Sequence, residues 1–295
     1  MSEPGTGNRV VYCQINKDYA YWTEKRRVGQ KGGGHVAGLL TQIEEGQVKQ
    51  NILIDCGLGT LEGIADACDD TFWDQPLAIW ITHGHIDHHA ELMILSEIYC
   101  KRRGKNNRDK RPALPVLCTA DTQKHLFATH RYGYAGSATL AHRLLTPNEP
   151  VACGVFNITP LAVDHFEGAV IFLIEFGSHK ILIAWDMTTL PFTPRLRGPS
   201  LTFVEATTWT PRVEDTGHTS ITELVESGFL KQLQLEFDPA REKYGAYLVH
   251  YSGWEDPWGM MTDAQLKEKF NQSFPGLAQV VRVAERGQRW DFRLD

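Results

Sequence analysis

The run His83-Gly84-His85-Ile86-Asp87-His88 sets the strongest limit on how this chain can fold. It puts four metal-ligand-type side chains within six residues, directly behind the apolar stretch Leu77 to Thr82 (LAIWIT). A run of that length, with turn-forming residues after it, reads as a buried strand. A tight loop at its end can aim several side chains into one space. Imidazole nitrogen and carboxylate oxygen are the usual ligands of zinc and related borderline metals. Crowded together without an ion, such groups would repel one another or lose their hydration. Four donors exceed what one ion takes from one segment, so His83/His85 and Asp87/His88 can face two ions. The chain must therefore fold so that strands end at a shared site, as mixed α/β folds do.

The rest of the chain has the matching texture. Asn51 to Asp55 (NILID), Pro115 to Cys118, Leu201 to Glu205 and Ala246 to Val249 read as short buried strands. Ala169 to Phe176 and Lys180 to Trp185 read as a hairpin turning at Gly177-Ser178-His179, with His179 facing solvent. Val280 to Ala284 and Trp290 to Leu294 read as a closing pair of strands. Helical signals lie between them. Ala90 to Tyr99 places Leu92, Leu95, Ile98 and Tyr99 on one face, and Asp121 is in position to cap Thr122 to Thr129. Ser220-Ile221-Thr222-Glu223 has the form of a capping box. Two segments, 19–34 and 101–111, read as loops, the second carrying seven basic residues against one acidic. No solenoid-period repeat and no long linker divides the chain, so a single domain over 1–295 is expected, with a basic insertion-like loop near 101–111.

Bulk properties narrow the function. A chain of 295 residues can bury a sizeable core, and its formal net charge of −6 argues against a general nucleic-acid coat. No stretch has the apolar length of a membrane span, and residues 1–10 lack the apolar core of a signal peptide. Six cysteines without a CxxC pair read as reduced, mostly buried thiols. A cytoplasmic protein without membrane attachment is the expectation.

The motif at 83–88 resembles the HxHxDH signature of the metallo-β-lactamase superfamily. The resemblance implies an α/β fold, an αββα sandwich of two mixed β-sheets packed face to face with helices outside. It also implies downstream ligands in a set order, and the chain has them. His165 follows Leu161 to Asp164, Asp186 ends Ile181 to Trp185, and His250 ends Tyr247 to Val249. By resemblance, His83, His85 and His165 hold one divalent ion. Asp87, His88 and His250 hold a second, Asp186 bridges, and Asp55 supports the site by hydrogen bonding without binding metal. His/Asp donors suit Zn²⁺ first, with Mn²⁺ and Fe²⁺ compatible. Two such ions acidify a shared water, so that hydroxide attacks near neutral pH, and their net positive charge suits an anionic substrate.

A narrower resemblance rests on Asp55-Cys56-Gly57-Leu58-Gly59-Thr60, on Phe203 to Thr207, on Gly217-His218-Thr219-Ser220 and on Leu248 to Ser252. These are similar to the tRNase Z and cyclic-phosphodiesterase branch, which includes the phosphodiesterase of the bacterial phosphonate pathway. The branch implies that His218 touches the scissile phosphate and passes a proton to the leaving group. Its place ahead of a capped helix suggests helix amides nearby to favour an anion. His218 and Asp87 are thus the candidates for catalytic roles. The expected activity is a dinuclear metal-dependent phosphodiesterase acting on a small or cyclic phosphodiester. Alternatives are a nuclease of the tRNase Z type, a lactone or thioester hydrolase, or a non-hydrolytic biosynthetic accessory protein.

Two departures bear on this. The long arm that grips tRNA in tRNase Z is inserted between the third ligand His and the bridging Asp, and here only twenty residues separate His165 from Asp186. The glycine pair that many members carry after the motif is replaced by His89-Ala90-Glu91. A small anionic substrate is the expected partner, nucleic acid is not favoured, and a homodimer is compatible with the resemblance. His125, His130 and His142 are candidates to line the mouth of the site. Gly32-Gly33-Gly34 read as a turn near its rim, His35 as a supporting or structural residue, and Trp254 and Trp258 as residues that cover the site, line a substrate pocket or simply pack.

Overall fold

The computed structural model of the protein describes residues 9–16, 36–104, 112–130, 139–189, 192–211, 217–240, 243–251, 261–285 and 287–294. The expected loop at 19–34, residues 105–111 of the expected loop at 101–111, and His35, Trp254 and Trp258 lie outside the described residues. Among the described residues, fourteen strands form two seven-stranded sheets. The first sheet has the order β14-β1-β2-β3-β4-β5-β6 and the second β13-β12-β11-β10-β9-β8-β7. The first contains β1 (Arg9–Asn16), β2 (Ala37–Glu44), β3 (Gln47–Ile54), β4 (Leu77–Trp80), β5 (Leu114–Cys118), β6 (Leu140–Leu144) and β14 (Arg289–Leu294). The second contains β7 (Val151–Cys153), β8 (Phe156–Ala162), β9 (Val170–Phe176), β10 (His179–Ala184), β11 (Leu201–Glu205), β12 (Ala246–Val249) and β13 (Val281–Val283).

Each sheet is half antiparallel and half parallel. The pairings from β14 to β3 are antiparallel, and those from β3 to β6 are parallel. The second sheet repeats this plan, antiparallel from β7 to β10 and parallel from β10 to β13. The parallel halves matter for function, because open parallel strands build sites at their C-terminal ends.

The layering follows from the two-residue period of the strands. In β3, Ile52 and Ile54 face the space between the sheets while Leu53 faces outward. In β9, Val170, Phe172 and Ile174 face inward, and Ile171 and Leu173 face the helices over the second sheet. Both faces of these central strands are covered, so they read as continuous apolar runs and not as alternating ones. The inner layer is aromatic, with Trp80, Phe172, Phe203, Tyr247, Trp290 and Phe292 in one cluster. Over the first sheet lie α1 (Thr60–Ala67), α2 (Leu92–Gly104) and α3 (Ala120–Thr129). Over the second lie α4 (Ile221–Glu226), α5 (Phe229–Gln232) and α6 (Asp263–Ser273). The result is the expected αββα sandwich. No helix among the described residues is long and apolar enough to cross a membrane.

Several local expectations are corrected. The strands at 281–283 and 289–294 do not pair with each other. They sit in different sheets, β13 beside β12 and β14 beside β1. The basic stretch begins inside a helix, since Lys101 to Gly104 form the last turn of α2. The cap of α3 is Thr119, whose hydroxyl accepts from Thr122 N at 3.2 Å, while Asp121 lies in the first turn and pairs with Lys124. His179 is not simply solvent-facing. Its Nε2 donates to Arg293 O at 2.9 Å, and its ring packs on Phe176 and Phe292. Cys56, Cys100 and Cys118 are buried as expected, and burial pushes the Cys118 thiol up to about 12.

Candidate metal centre

The C-terminal ends of the parallel strands meet at one edge of the sandwich. β3 delivers Asp55, and β4 delivers the loop holding His83, His85, Asp87 and His88. β10 delivers Asp186, β11 ends on Glu205, and β12 leads into His250. His165 comes from the turn between β8 and β9, and His218 from the segment between β11 and α4. All the residues read from the sequence as ligands are therefore brought together.

They fall into two sets. His83 Nε2 lies 3.0 Å from His85 Nδ1 and 3.1 Å from His165 Nε2, and His165 Nε2 lies 3.2 Å from His85 Nδ1. The second set is Asp87, His88 and His250, with Asp87 Oδ2 at 3.6 Å from both His88 Nε2 and His250 Nε2. Asp186 lies between them. Its Oδ2 is 2.6 Å from His88 Nε2, its Oδ1 is 3.3 Å from His250 Nε2, and it also groups with His83.

The surroundings fix which nitrogen faces inward. His165 Nδ1 donates to Gly217 O at 2.5 Å, which turns the lone pair of Nε2 toward the cluster. His83 Nδ1 is 3.0 Å from the Thr82 hydroxyl, which itself donates to Asp55. His88 Nδ1 donates to Asp55 Oδ2 at 2.8 Å. Gly217 must be glycine here, with φ of +76° and His165 O only 2.8 Å from where a Cβ would sit. Burial pulls His83 and His165 below the ordinary imidazole value and His85 to about 4, so these three rings are neutral. Burial also opposes charge on His88, but Asp186, Asp87 and Asp55 outweigh it and hold its pKa well above the ordinary value.

This donor set fits metal. Three neutral nitrogens lie within 3.2 Å of one another, where tetrahedral zinc with its usual Zn–N lengths spaces them about 3.3 Å apart. Among the described residues, His88 Nε2 and both Asp186 oxygens are buried with no hydrogen-bond partner. Orphaned buried polar atoms are costly, and a cation between them removes the cost.

Four residues that the sequence reading assigned no role complete the site. Glu205 is fully buried. Its carboxylate accepts from Met187 N at 2.6 Å and from the Thr207 hydroxyl, and lies 2.5 Å from His218 Nδ1. The available signal was a carboxylate ending an apolar strand, the same signal that marked Asp55. Trp185 donates its indole N–H to Asp55 Oδ2 at 2.8 Å, and Thr82 donates both its N–H and its hydroxyl to Asp55. Glu91 ties the exit of the His loop to the start of α1, accepting from Gly59 N and Leu61 N at 2.8 and 2.7 Å.

His218 sits where the sequence reading expected it, but for a different reason. Burial lowers its pKa, yet the Asp186 and Glu205 carboxylates, 3.3 and 2.5 Å from its Nδ1, raise it to about 9. The helix behind it offers no amides to an anion. α4 has six residues, and its N–H groups are taken: Ser220 N by Glu223, Ile221 N by Thr208 O, Thr222 N by Trp209 O and Glu223 N by Ser220 Oγ. Of the mouth candidates, His125 packs on Phe166, which packs on His85. His130 meets His89, and His142 lies on the edge strand β6 against Phe127.

An αββα sandwich with this cluster at its edge defines a class. A model described as a β-lactamase superfamily domain matches residues 50–241, well over half of the chain. The chain belongs to that superfamily, whose metallo-β-lactamase fold binds divalent metals. Among solved structures it is similar to a diphosphatase of the PhnP family, with 16% identity, a TM-score of 0.68 and coverage of 97% of this chain and 98% of that one. It is also similar to the metallo-β-lactamase fold protein YhfI from Bacillus subtilis (18%, 0.69, 96% and 100%). Zn²⁺-bound PqqB from Methylobacterium extorquens matches comparably (14%, 0.67, 95% and 100%). At these identities the likeness is one of fold. No curated protein matches the chain by sequence.

Proposed function

We propose that the protein is a dinuclear metal-dependent phosphodiesterase acting on a small or cyclic phosphodiester. His83, His85 and His165 would hold one ion, Asp87, His88 and His250 the other, and Asp186 would join them. Two divalent ions, Zn²⁺ by donor chemistry, would supply Lewis acidity and an activated water at this edge.

The observation that carries the reading is the Glu205–His218 pair beside Asp186. Glu205 takes the Nδ1–H of His218 at 2.5 Å, so a protonated ring presents its other N–H away from the carboxylates. The His218 side chain keeps 18% exposure, against 2% for Asp186 and none for Glu205, so it is the member of the group that a substrate can reach. With a pKa raised to about 9, it carries a proton at neutral pH and can give it to a departing alkoxide. A general acid in this place speeds hydrolysis of a phosphodiester whose leaving group is an alkoxide. The twenty residues between His165 and Asp186 are used by the β9–β10 hairpin, which leaves no arm there for gripping tRNA.

The test combines metal analysis with a substrate panel. Purified protein should hold two metal equivalents and cleave bis(p-nitrophenyl) phosphate faster than nitrocefin, a lactone or a thioester. Faster cleavage of any of the last three would overturn the phosphodiester reading. His218→Ala should slow turnover ~10²–10⁴-fold with metal content unchanged.

A further inference from the structure

The residue behind the HxHxDH motif, His89, is fully buried and belongs to neither ligand set. Its Nε2 lies 3.1 Å from the carbonyl oxygen of Gly84, the residue between ligands His83 and His85. A carbonyl only accepts, so Nε2 carries the hydrogen. With its hydrogen on Nε2, the His89 ring presents Nδ1 as an acceptor, and His130 Nε2, 2.8 Å away, is placed to donate to it. Two cationic rings at that distance in the interior would repel. The hydrogen bonds therefore run one way, from His130 to His89 to the Gly84 carbonyl.

His130 is the C-cap of α3, and α3 meets the same glycine a second time. A Cβ on Gly84 would lie 2.5 Å from the Cβ of His125. His125 in turn packs at a tilt against Phe166, 4.6 Å between ring centres, and Phe166 likewise against His85 at 4.2 Å. Thus α3 reaches the loop at the Gly84 carbonyl through His130 and His89, at the Gly84 Cα directly, and at the His85 ring through Phe166. The other half of the loop has a different support, since His88 is held by Asp55.

We propose that His89 and His130 are positioning residues that lock the Gly84 peptide, so that α3 buttresses the His83/His85 half of the loop and sets the affinity of the first ion. The inference rests on the two-ion reading given above.

Two measurements test it. The first needs no metal. ¹⁵N-histidine NMR of the metal-free wild type should show His89 as its Nε2–H tautomer, identified by the signals lost in His89→Gln. An Nδ1–H tautomer, or a rapidly exchanging proton there, overturns the proposal. The second is chelator competition on the loaded protein. His130→Ala should weaken one ion ~10–100-fold, the one that His165→Ala removes, and leave the other unchanged. His130→Gln, whose amide N–H can donate to His89 Nδ1, should recover most of the loss. Unchanged affinity, or equal weakening of both ions with a lowered Tm, would reduce the pair to a structural contact. Failure of the wild type to take up divalent ions would overturn the metal-centre reading instead, and the tautomer spectrum would still decide the chain.

Discussion

Asp55 accepts four hydrogen bonds in a fully buried position, from Thr82 N, the Thr82 hydroxyl, His88 Nδ1 and Trp185 Nε1. Its φ of 59° lies in the left-handed region, an unfavourable conformation that these bonds stabilise. Through Asp55, Trp185 acts on His88 while standing next to Asp186 in the chain. Trp185→Phe keeps a ring in the core and deletes one donor. It should weaken the second ion ~10-fold or more and leave the His83/His85/His165 ion in place, measured by metal competition. In the metal-free protein it should cost about 1–3 kcal/mol in urea denaturation, because a buried carboxylate loses a partner. Legibility at this scale depended on residue type. Asp55 and the ligands are polar residues at the ends of apolar runs and stand out. Glu205 ends a run in the same way, and only its contact with His218 reveals what it does. Trp185 looks like any other core aromatic until its N–H is seen to point at a carboxylate.

Elements were legible where composition and period agreed. LTFVE and AYLV match β11 and β12, and the 220–223 capping box forms with both reciprocal bonds. Because α4 has only six residues and turns the chain just after His218, it depends on that cap. Ser220→Ala should lower stability by about 1 kcal/mol, read as a shifted urea midpoint at constant m. An unchanged midpoint would mean that packing of Ile221 and Leu224 alone holds the turn. The sequence reading missed β1, β2, β6, β7 and β8. β6 is a half-exposed edge strand with no apolar face to read, β7 has three residues, and β8 contains Pro160. Such strands are set by their neighbours in the sheet and carry little periodic signal of their own.

On the scale of the whole molecule, the two sheets each contribute residues to the candidate metal centre. β3 and β4 supply Asp55 and the 83–88 loop, and the parallel strands of the second sheet supply Asp186, Glu205 and His250. An ion held from both sides ties the sheets together and binds only the folded state. Stripping the protein with a chelator should therefore lower Tm, and adding metal back should restore it. The stabilisation is about 4 kcal/mol when free metal exceeds Kd about 1,000-fold. Equal melting curves with and without metal would mean that the sandwich stands on its aromatic core alone.

Read alone, the sequence shows the candidate ligands, their order and their place at strand ends, and with them the superfamily and its sandwich. Those features are local: an apolar run and the polar residue that stops it are neighbours in the chain. Tertiary structure alone decided how the ligands are held. Glu205 meets His218, Trp185 meets Asp55, and His130 reaches Gly84 through His89, all across sequence separations that carry no pattern. It also decided that the amides of α4 are already occupied, so that His218 is aimed by a buried carboxylate and not by a helix end. A hydrogen bond between distant segments depends on where two backbones come to rest, and that position is a property of the packed core as a whole.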